Sequence, residues 1–226
     1  MNIKHVFFDL DHTLWDFEYN SEKTFAHIFE QNKIDVNFND FMKEYIPINK
    51  KYWKLFREEK VSKSDLRFNR LKESFNELKF NAGDFLINQL AEQYIDYLPT
   101  NKTLFEGAFE VLEYLNKKYQ LHIITNGFEE VQHKKIKNSN ISPYFDKIIT
   151  SEKAGVKKPN PKIFNYAMAL TNAIPKESIM IGDNFEADIL GAKAVGMHTI
   201  FCEFNGEIAT EEVLSITKLI ELKQYL

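Results

Sequence analysis

One cysteine, Cys202, is all the thiol in this chain of 226 residues, so no internal disulfide can form and a fold held by cross-links is excluded. Long apolar runs are missing as well. The longest are stretches such as Val6-Phe7-Phe8, far short of the roughly 20 residues a helix needs to span a bilayer, and no membrane role is expected. Met1 to Leu10 has neither the basic start nor the apolar run of a signal peptide, which makes cytoplasmic residence the expectation. Charge of one sign is not in excess: 29 Lys and Arg face 33 Asp and Glu, a net of −4 with the histidines neutral. With lysines spread along the whole chain, this balance argues against a dedicated binder of nucleic-acid polymers and leaves room for one small phosphate. Internal repeats and low-complexity segments are absent. His5, His27, His122, His133 and His198 form no pair three or four residues apart, so no histidine metal motif is visible.

What is present is material for a core. Hydrophobic residues make up 44% and charged residues 27%, close to the soluble globular average, which excludes intrinsic disorder. Phe accounts for 20 of the aromatic residues against 10 Tyr and 2 Trp, and Phe supplies large buried area with no polar group to satisfy.

Residues 3 to 8 read as a buried strand, β-branched and aromatic, ending abruptly at Asp9. From about Asp16 to Leu98 the period becomes helical, with stripes such as Phe25, Ile28, Phe29 and Phe41, Tyr45, Ile48, Tyr52 that fit four amphipathic helices packed as a small bundle. Beyond Pro99 strands alternate with helices: Leu121 to Thr125, Lys147 to Thr150, Ser178 to Ile181 and His198 to Cys202 are the strands, and Ile163, Phe164, Ala167 and Leu170 mark one of the helices. The pattern predicts an α/β fold, a Rossmann-like parallel sheet over 1–15 and 100–226, with a helical domain over 16–99 inserted after the first strand. Ligands of such sheets bind beyond the carboxyl ends of the strands.

Those ends carry the chemistry. The first strand delivers Asp9-Leu10-Asp11-His12-Thr13, the second Thr125-Asn126-Gly127, a later loop Lys157-Lys158-Pro159, and the fourth Gly182-Asp183 with Asp188 following. Any one of these acids alone reads as an ordinary turn or loop residue. Together they would gather several carboxylates on one rim, where mutual repulsion calls for a cation. All-oxygen donors with few protein ligands, Asp9 and Asp183 being the natural direct ones, suit octahedral Mg²⁺.

In these segments the chain resembles the haloacid dehalogenase-like hydrolases. Asp9-Leu10-Asp11-His12-Thr13-Leu14, Thr125-Asn126, Lys158-Pro159 and Gly182-Asp183 with Asp188 correspond to that superfamily's motifs, and the likeness runs nearly the whole length. The Asp-x-Asp-x-Thr form marks its phosphatase branch. Asp9 to Phe17, Ile124 to Phe128 and Gly155 to Phe164 are similar to the bacterial pyrimidine 5′-nucleotidases. The resemblance implies an Mg²⁺-dependent phosphomonoesterase acting on a small-molecule phosphomonoester, a nucleoside monophosphate by the narrower likeness. It makes Asp9 the nucleophile, and Asp11 general acid and then base with its carbonyl on the metal. Thr125, Asn126, Gly127 and Lys158 hold the phosphoryl group, Asp183 is a metal ligand, and Asp188 acts through a metal-bound water or by orienting Lys158. Chemistry alone leaves Lys157 and Lys158 equivalent; the proline after the functional lysine in the family selects Lys158. The helical insertion corresponds to the family's cap.

The same resemblance leaves sugar phosphates as alternative substrates, and a phosphomutase or a non-catalytic binding relative as alternative functions; Asp11 and the Asp183 and Asp188 pair argue against 2-haloacid dehalogenation. Other residues take plainer readings. His12 is not needed in an all-oxygen site, and Cys202 is an inert core thiol. Lys134, Lys135 and Lys137 form a solvated helix face. Trp15, Phe17, Tyr45, Tyr52 and Trp53 could stack on a base, but packing is favoured.

Overall fold

His5–Phe8 form β1, and all its residues are buried. A strand covered on both faces needs apolar groups at successive positions, which Val6-Phe7-Phe8 supplies. The computed structural model describes every residue except Met1, Asn205, Glu207, Ile208 and Thr210. It places β1 in a six-stranded sheet with β2 (Gln120–Thr125), β3 (Phe145–Thr150), β4 (Ser178–Gly182), β5 (His198–Cys202) and β6 (Ser215–Ile216). The order is β3-β2-β1-β4-β5-β6 and every neighbouring pair is parallel, the α/β, Rossmann-like arrangement expected from the alternating pattern.

Register positions the site. Phe8 lies opposite Ile123 on one side and Ile181 on the other, so β1, β2 and β4 end at one rim. From β1 the chain passes to β2 and β3 on one side and then crosses to β4 on the other, which puts the topological switch point between β1 and β4. Strand bounds shift: β1 starts at His5 and not Ile3, β3 at Phe145 and not Lys147, β2 and β4 each gain one residue, and the two-residue β6 is too short to carry a period in the sequence.

The chain divides into two compact units, Met1–Glu18 with Lys102–Leu226, and Tyr19–Asn101. The helical unit is built from α1 (Phe17–Asn32), which begins just ahead of the division, α2 (Phe38–Arg57), α3 (Lys63–Glu77) and α4 (Asp84–Tyr97). Asn37 caps α2, and a Ser62–Asp65 capping box opens α3. The unit's centre is aromatic: Phe25 sits 5.0 Å from Phe41 and 4.6 Å from Tyr94, and Phe41 5.1 Å from Phe75, ring centre to ring centre. Tyr45 is buried there, so its ring packs as expected.

In the α/β unit the helices are α5 (Ala108–Leu115), α6 (Glu129–Asn138), the single turn α7 (Ser151–Ala154) and α8 (Pro161–Thr171). Ile163, Phe164, Ala167 and Met168 of α8 pack on Phe7, Ile124 and Met180 of the sheet. Leu170, expected on this stripe, is 44% exposed; at about 100° per residue it falls at the margin of the face that Ile163, Phe164, Ala167, Met168 and Thr171 bury. Cys202 is buried on β5, and burial pushes its thiol well above the usual range, in keeping with a packing role. Among the described residues no helix is long and apolar enough to cross a membrane.

Histidines distant in sequence meet in the sheet. His5 Nδ1 lies 3.2 Å from His122 Nε2, and the His122 ring packs tilted against Phe7, ring centres 4.8 Å apart. Asp146 is 3.9 Å from His122 Nδ1, too far to compensate a buried charge fully. Burial, followed by the neighbouring His5, lowers His122 to about 4, and burial lowers His5 as well. The folded protein therefore binds fewer protons at this pair than the unfolded chain, whose histidines titrate near 6.5. The His122 part of the stability is complete above about pH 6.5 and is lost progressively as the pH falls toward 4, by up to about 1.4 kcal/mol per pH unit, and His5 acts in the same direction. Urea unfolding between pH 7 and 4 is expected to show that slope, and His122→Leu to flatten it; an unchanged slope in the variant would refute the assignment.

Candidate active site

The site is built where β1, β2 and β4 stop. As the chain leaves β1, the Asp9 N–H donates to the Ile181 carbonyl at 2.9 Å, fixing the first residue of the loop beside β4. The Leu10 carbonyl then accepts from the N–H groups of Leu14 and Trp15 at 3.0 and 2.8 Å, a tight turn in which His12 takes a left-handed φ of 62°. That turn presents the Asp9 and Asp11 side chains and buries Leu10, Leu14 and Trp15.

Lys158 is the hub. Its buried Nζ lies 2.6 Å from Asp9 Oδ1 and 2.6 Å from Asp188 Oδ1, and donates to the Ile124 carbonyl at 2.7 Å. The Asn126 side chain holds the lysine's backbone in both directions: its Oδ1 accepts from the Lys158 N–H at 2.8 Å and its Nδ2 donates to the Lys158 carbonyl at 3.0 Å. Asn126, expected to face the phosphoryl group, is thus engaged in seating the lysine. Asp188 belongs to a π-helical turn, Phe185–Leu190, and its Oδ2 accepts from the Asn184 N–H at 3.0 Å. A Cβ at Gly182 would overlap the Asp188 carboxylate, so glycine ends β4 for packing reasons. Thr13 Oγ1 donates to Asp183 Oδ1 at 3.3 Å.

Carboxylate oxygens of Asp9, Asp183 and Asp188 all lie within 4.8 Å of one another, with Asp9 and Asp188 buried. Burial raises the Asp9 carboxyl to about 7, the charges of Asp188 and Asp11 adding and Lys158 opposing. For Lys158 burial works downward, but Asp188 and Asp9 outweigh it and the ammonium ends above its ordinary value. One buried lysine against three carboxylates leaves an excess of negative charge in a place where charge is costly. The donor set is all oxygen and fits a hard divalent cation; His12 stands outside this cluster, its Nε2 4.0 Å from Glu18.

Thr125 closes the β2 side. Its Oγ1 accepts from the Gly127 N–H at 3.1 Å and from Gln132 Nε2 at 2.7 Å, so its own proton is left to donate. A Cβ at Gly127 would overlap Gln132, which gives this glycine a packing role.

Two residues of α6 hold Asp11: Gln132, which the sequence did not single out, and Lys135, which it read as solvated. Gln132 Nε2 also donates to Asp11 Oδ2 at 2.9 Å, and Lys135 Nζ lies 2.5 Å from Asp11 Oδ1. The solvated face expected for Lys134, Lys135 and Lys137 is thereby corrected: Lys134 and Lys137 are exposed, but the Lys135 side chain is 2% exposed. The signal was positional. Phe128, Val131, Gln132, Lys135 and Ile136 share the inward stripe of α6, and a lysine on such a stripe needs a partner. Of the aromatic candidates, Trp15 and Phe17 are buried, and the Tyr52 hydroxyl donates to Glu73 at 2.9 Å.

A profile of the haloacid dehalogenase-like hydrolases matches residues 3–196. The crystal structure of the magnesium-bound HAD-hydrolase YfnB of Bacillus subtilis superposes with a TM-score of 0.90 at 28% identity, covering 100% of this chain and 99% of that one. The pyrimidine 5′-nucleotidase PynA of Streptococcus pneumoniae is 32% identical over 206 residues, 89% of this chain and 84% of its own. A glyceraldehyde 3-phosphate phosphatase of Pyrococcus abyssi is 33% identical over 206 residues, 89% of this chain and 82% of its own. A profile match over most of the chain, with the strand-end carboxylates and lysine assembled as described, leads to one conclusion: the chain belongs to the haloacid dehalogenase-like hydrolases.

Proposed function

We propose that the protein is an Mg²⁺-dependent phosphomonoesterase that works through an aspartyl-phosphate on Asp9, with pyrimidine nucleoside 5′-monophosphates as its substrate class. The observation that carries this reading is the Asp9 carboxylate itself, held 2.6 Å from a buried lysine and within 4.8 Å of two further carboxylates at the switch point of a parallel sheet. Asp9, Asp183 and Asp188 are the side chains available to a cation, and the related YfnB was crystallised with magnesium. Bound there, Mg²⁺ would offset the repulsion between the anionic nucleophile and the phosphate and stabilise charge on the phosphoryl oxygens.

The remaining chemistry belongs to the chain. An Asp9 oxygen attacks phosphorus in line and the bond to the ester oxygen breaks, its electron pair going to that oxygen while Asp11 gives it a proton. Water then attacks the phosphorus of the acyl phosphate, Asp11 takes the proton from that water, and phosphate leaves with Asp9 restored as a carboxylate. Lys158 brings a positive charge to the nucleophile, held by Asp188 and the Ile124 carbonyl so that no reorganisation is needed as charge develops. Thr125 directs its hydroxyl proton outward, because both hydrogen bonds that reach its oxygen arrive from donors. The helical unit is read as the family's cap, the part that selects the leaving group. The nucleotide preference draws on the S. pneumoniae relative; the P. abyssi relative makes a small sugar phosphate the second reading, by the same chemistry.

Phosphate release from nucleoside 5′-monophosphates and sugar phosphates, with Mg²⁺ and with EDTA, tests this directly. Release is expected to be metal-dependent, strongest on UMP, dUMP or dTMP, and reduced on the order of 10³-fold or more by Asp9→Asn. A sugar phosphate preferred to every nucleotide would overturn the substrate class, and release indifferent to Asp9→Asn would overturn the mechanism. Gly182→Ala should displace the Asp188 carboxylate, raising the Mg²⁺ concentration needed for half-maximal activity while the thermal midpoint shows the protein still folded. An unchanged Mg²⁺ requirement would remove Asp188 from the metal's surroundings.

A further inference from the structure

Asp11 does not stand alone at the rim. Lys135 Nζ reaches its Oδ1 at 2.5 Å and Gln132 Nε2 its Oδ2 at 2.9 Å, so the two carboxylate oxygens are gripped separately by residues three apart on α6. The Lys135 ammonium is itself seated, 4.1 Å from the centre of the Trp15 ring and 5.2 Å from that of Phe17. A lysine at 2% exposure gives up several kcal/mol of hydration, which the ion pair and the two ring faces offset. A lysine in solvent would bring a screened charge with no fixed direction. What burial adds is direction, since an ammonium packed against two rings cannot follow the carboxylate if it turns.

Two donors on two oxygens fix the plane of a carboxylate, and a carboxylate has about four lone-pair sites, so each oxygen keeps one for the reaction. The Asp11 side chain is 20% exposed, so the held group remains accessible. Gln132 also donates to Thr125 Oγ1 at 2.7 Å and thereby ties the orientation of Asp11 to the end of β2.

We propose that Lys135 is a positioning residue that holds Asp11 in the orientation needed for proton transfer to the leaving oxygen. The proposal rests on the phosphomonoesterase reading and on Asp11 as its acid. A misplaced acid matters where the leaving group needs a proton. An alkoxide needs one; nitrophenolate leaves without it. A loss of phosphoryl binding or of folded protein would weaken both reactions alike.

The test compares kcat/KM, which covers steps through departure of the first leaving group, for uridine 5′-monophosphate and p-nitrophenyl phosphate. Glyceraldehyde 3-phosphate takes the place of the nucleotide should it prove the better substrate. Lys135→Met, which keeps the stem on Trp15, is expected to lower the alkyl phosphate value about 30-fold or more and the aryl value less than about threefold, a fraction of what positioned acid catalysis contributes. Lys135→Arg should recover most of the loss, and in an Asp11→Asn background Lys135→Met should add nothing. Equal losses on the two substrates, or a loss undiminished in that background, would overturn the proposal while leaving the phosphatase intact. No release from any of the substrates by the natural protein would instead overturn the phosphomonoesterase reading, and the role of Lys135 with it. Lys135→Gln, uncharged but polar, carries the same comparison if the methionine variant does not fold.

Discussion

A single buried ammonium governs the arrangement of this molecule's reactive end. Lys158 stands between Asp9 and Asp188, and neither carboxylate could be held so deep without it. Removing a cation from such a cluster leaves uncompensated buried charge, at a cost of about 3–5 kcal/mol. The sequence around Lys158 is arranged to prevent its withdrawal: Asn126 clamps the backbone, the Ile124 carbonyl takes one ammonium proton, and Gly182 leaves space for Asp188 to approach. The restraints come from the ends of both β2 and β4, so the site exists only when the parallel register is correct. A slip of β2 or β4 by one residue would turn every side chain to the opposite face and dissolve it.

Two ion pairs with different characters share the rim. Lys158 reaches Asp9 from the loop between α7 and α8, where burial strengthens the effect of its charge. Lys135 reaches Asp11 from α6, where Asp11 remains partly exposed. Asp9 and Asp11 are thus held by separate cations on separate elements, although they are only two residues apart in sequence. Gln132 is the link, because it reaches both Asp11 and Thr125. Such a division fixes the two carboxylates independently of each other.

The parallel sheet and the residues at its rim were legible in the sequence because they rest on local pattern: short apolar runs that stop at Asp9, Thr125 and Asp183. Lys135 was not legible in the same way. Three lysines within four positions look alike as composition, and only the phase of α6, set by Phe128, Val131 and Ile136, separates the inward one from Lys134 and Lys137. The His5–His122 contact was hidden for another reason. It depends on pairing between β1 and β2, 117 residues apart, which no spacing rule within one segment can express. Asn126 illustrates a third case, in which the position stood out in the sequence but its two hydrogen bonds to the Lys158 backbone, 32 residues away, did not.

The distribution of polar groups also explains why a fold with so much Phe tolerates so many buried charges. Deep ionised side chains of the α/β unit lie at the carboxyl ends of the strands, where Asp9, Lys158 and Asp188 compensate one another and the loops can reach them. Below that rim the sheet is packed by Phe7, Ile124, Met180 and the apolar face of α8, which need no partners. The exception beneath the rim is the His5–His122 pair, and it is of the one residue type that can shed its charge near neutral pH. Burial thus selects between two solutions along the same strands. Where function requires charge, opposite charges are brought together; where it does not, the titratable group is kept neutral.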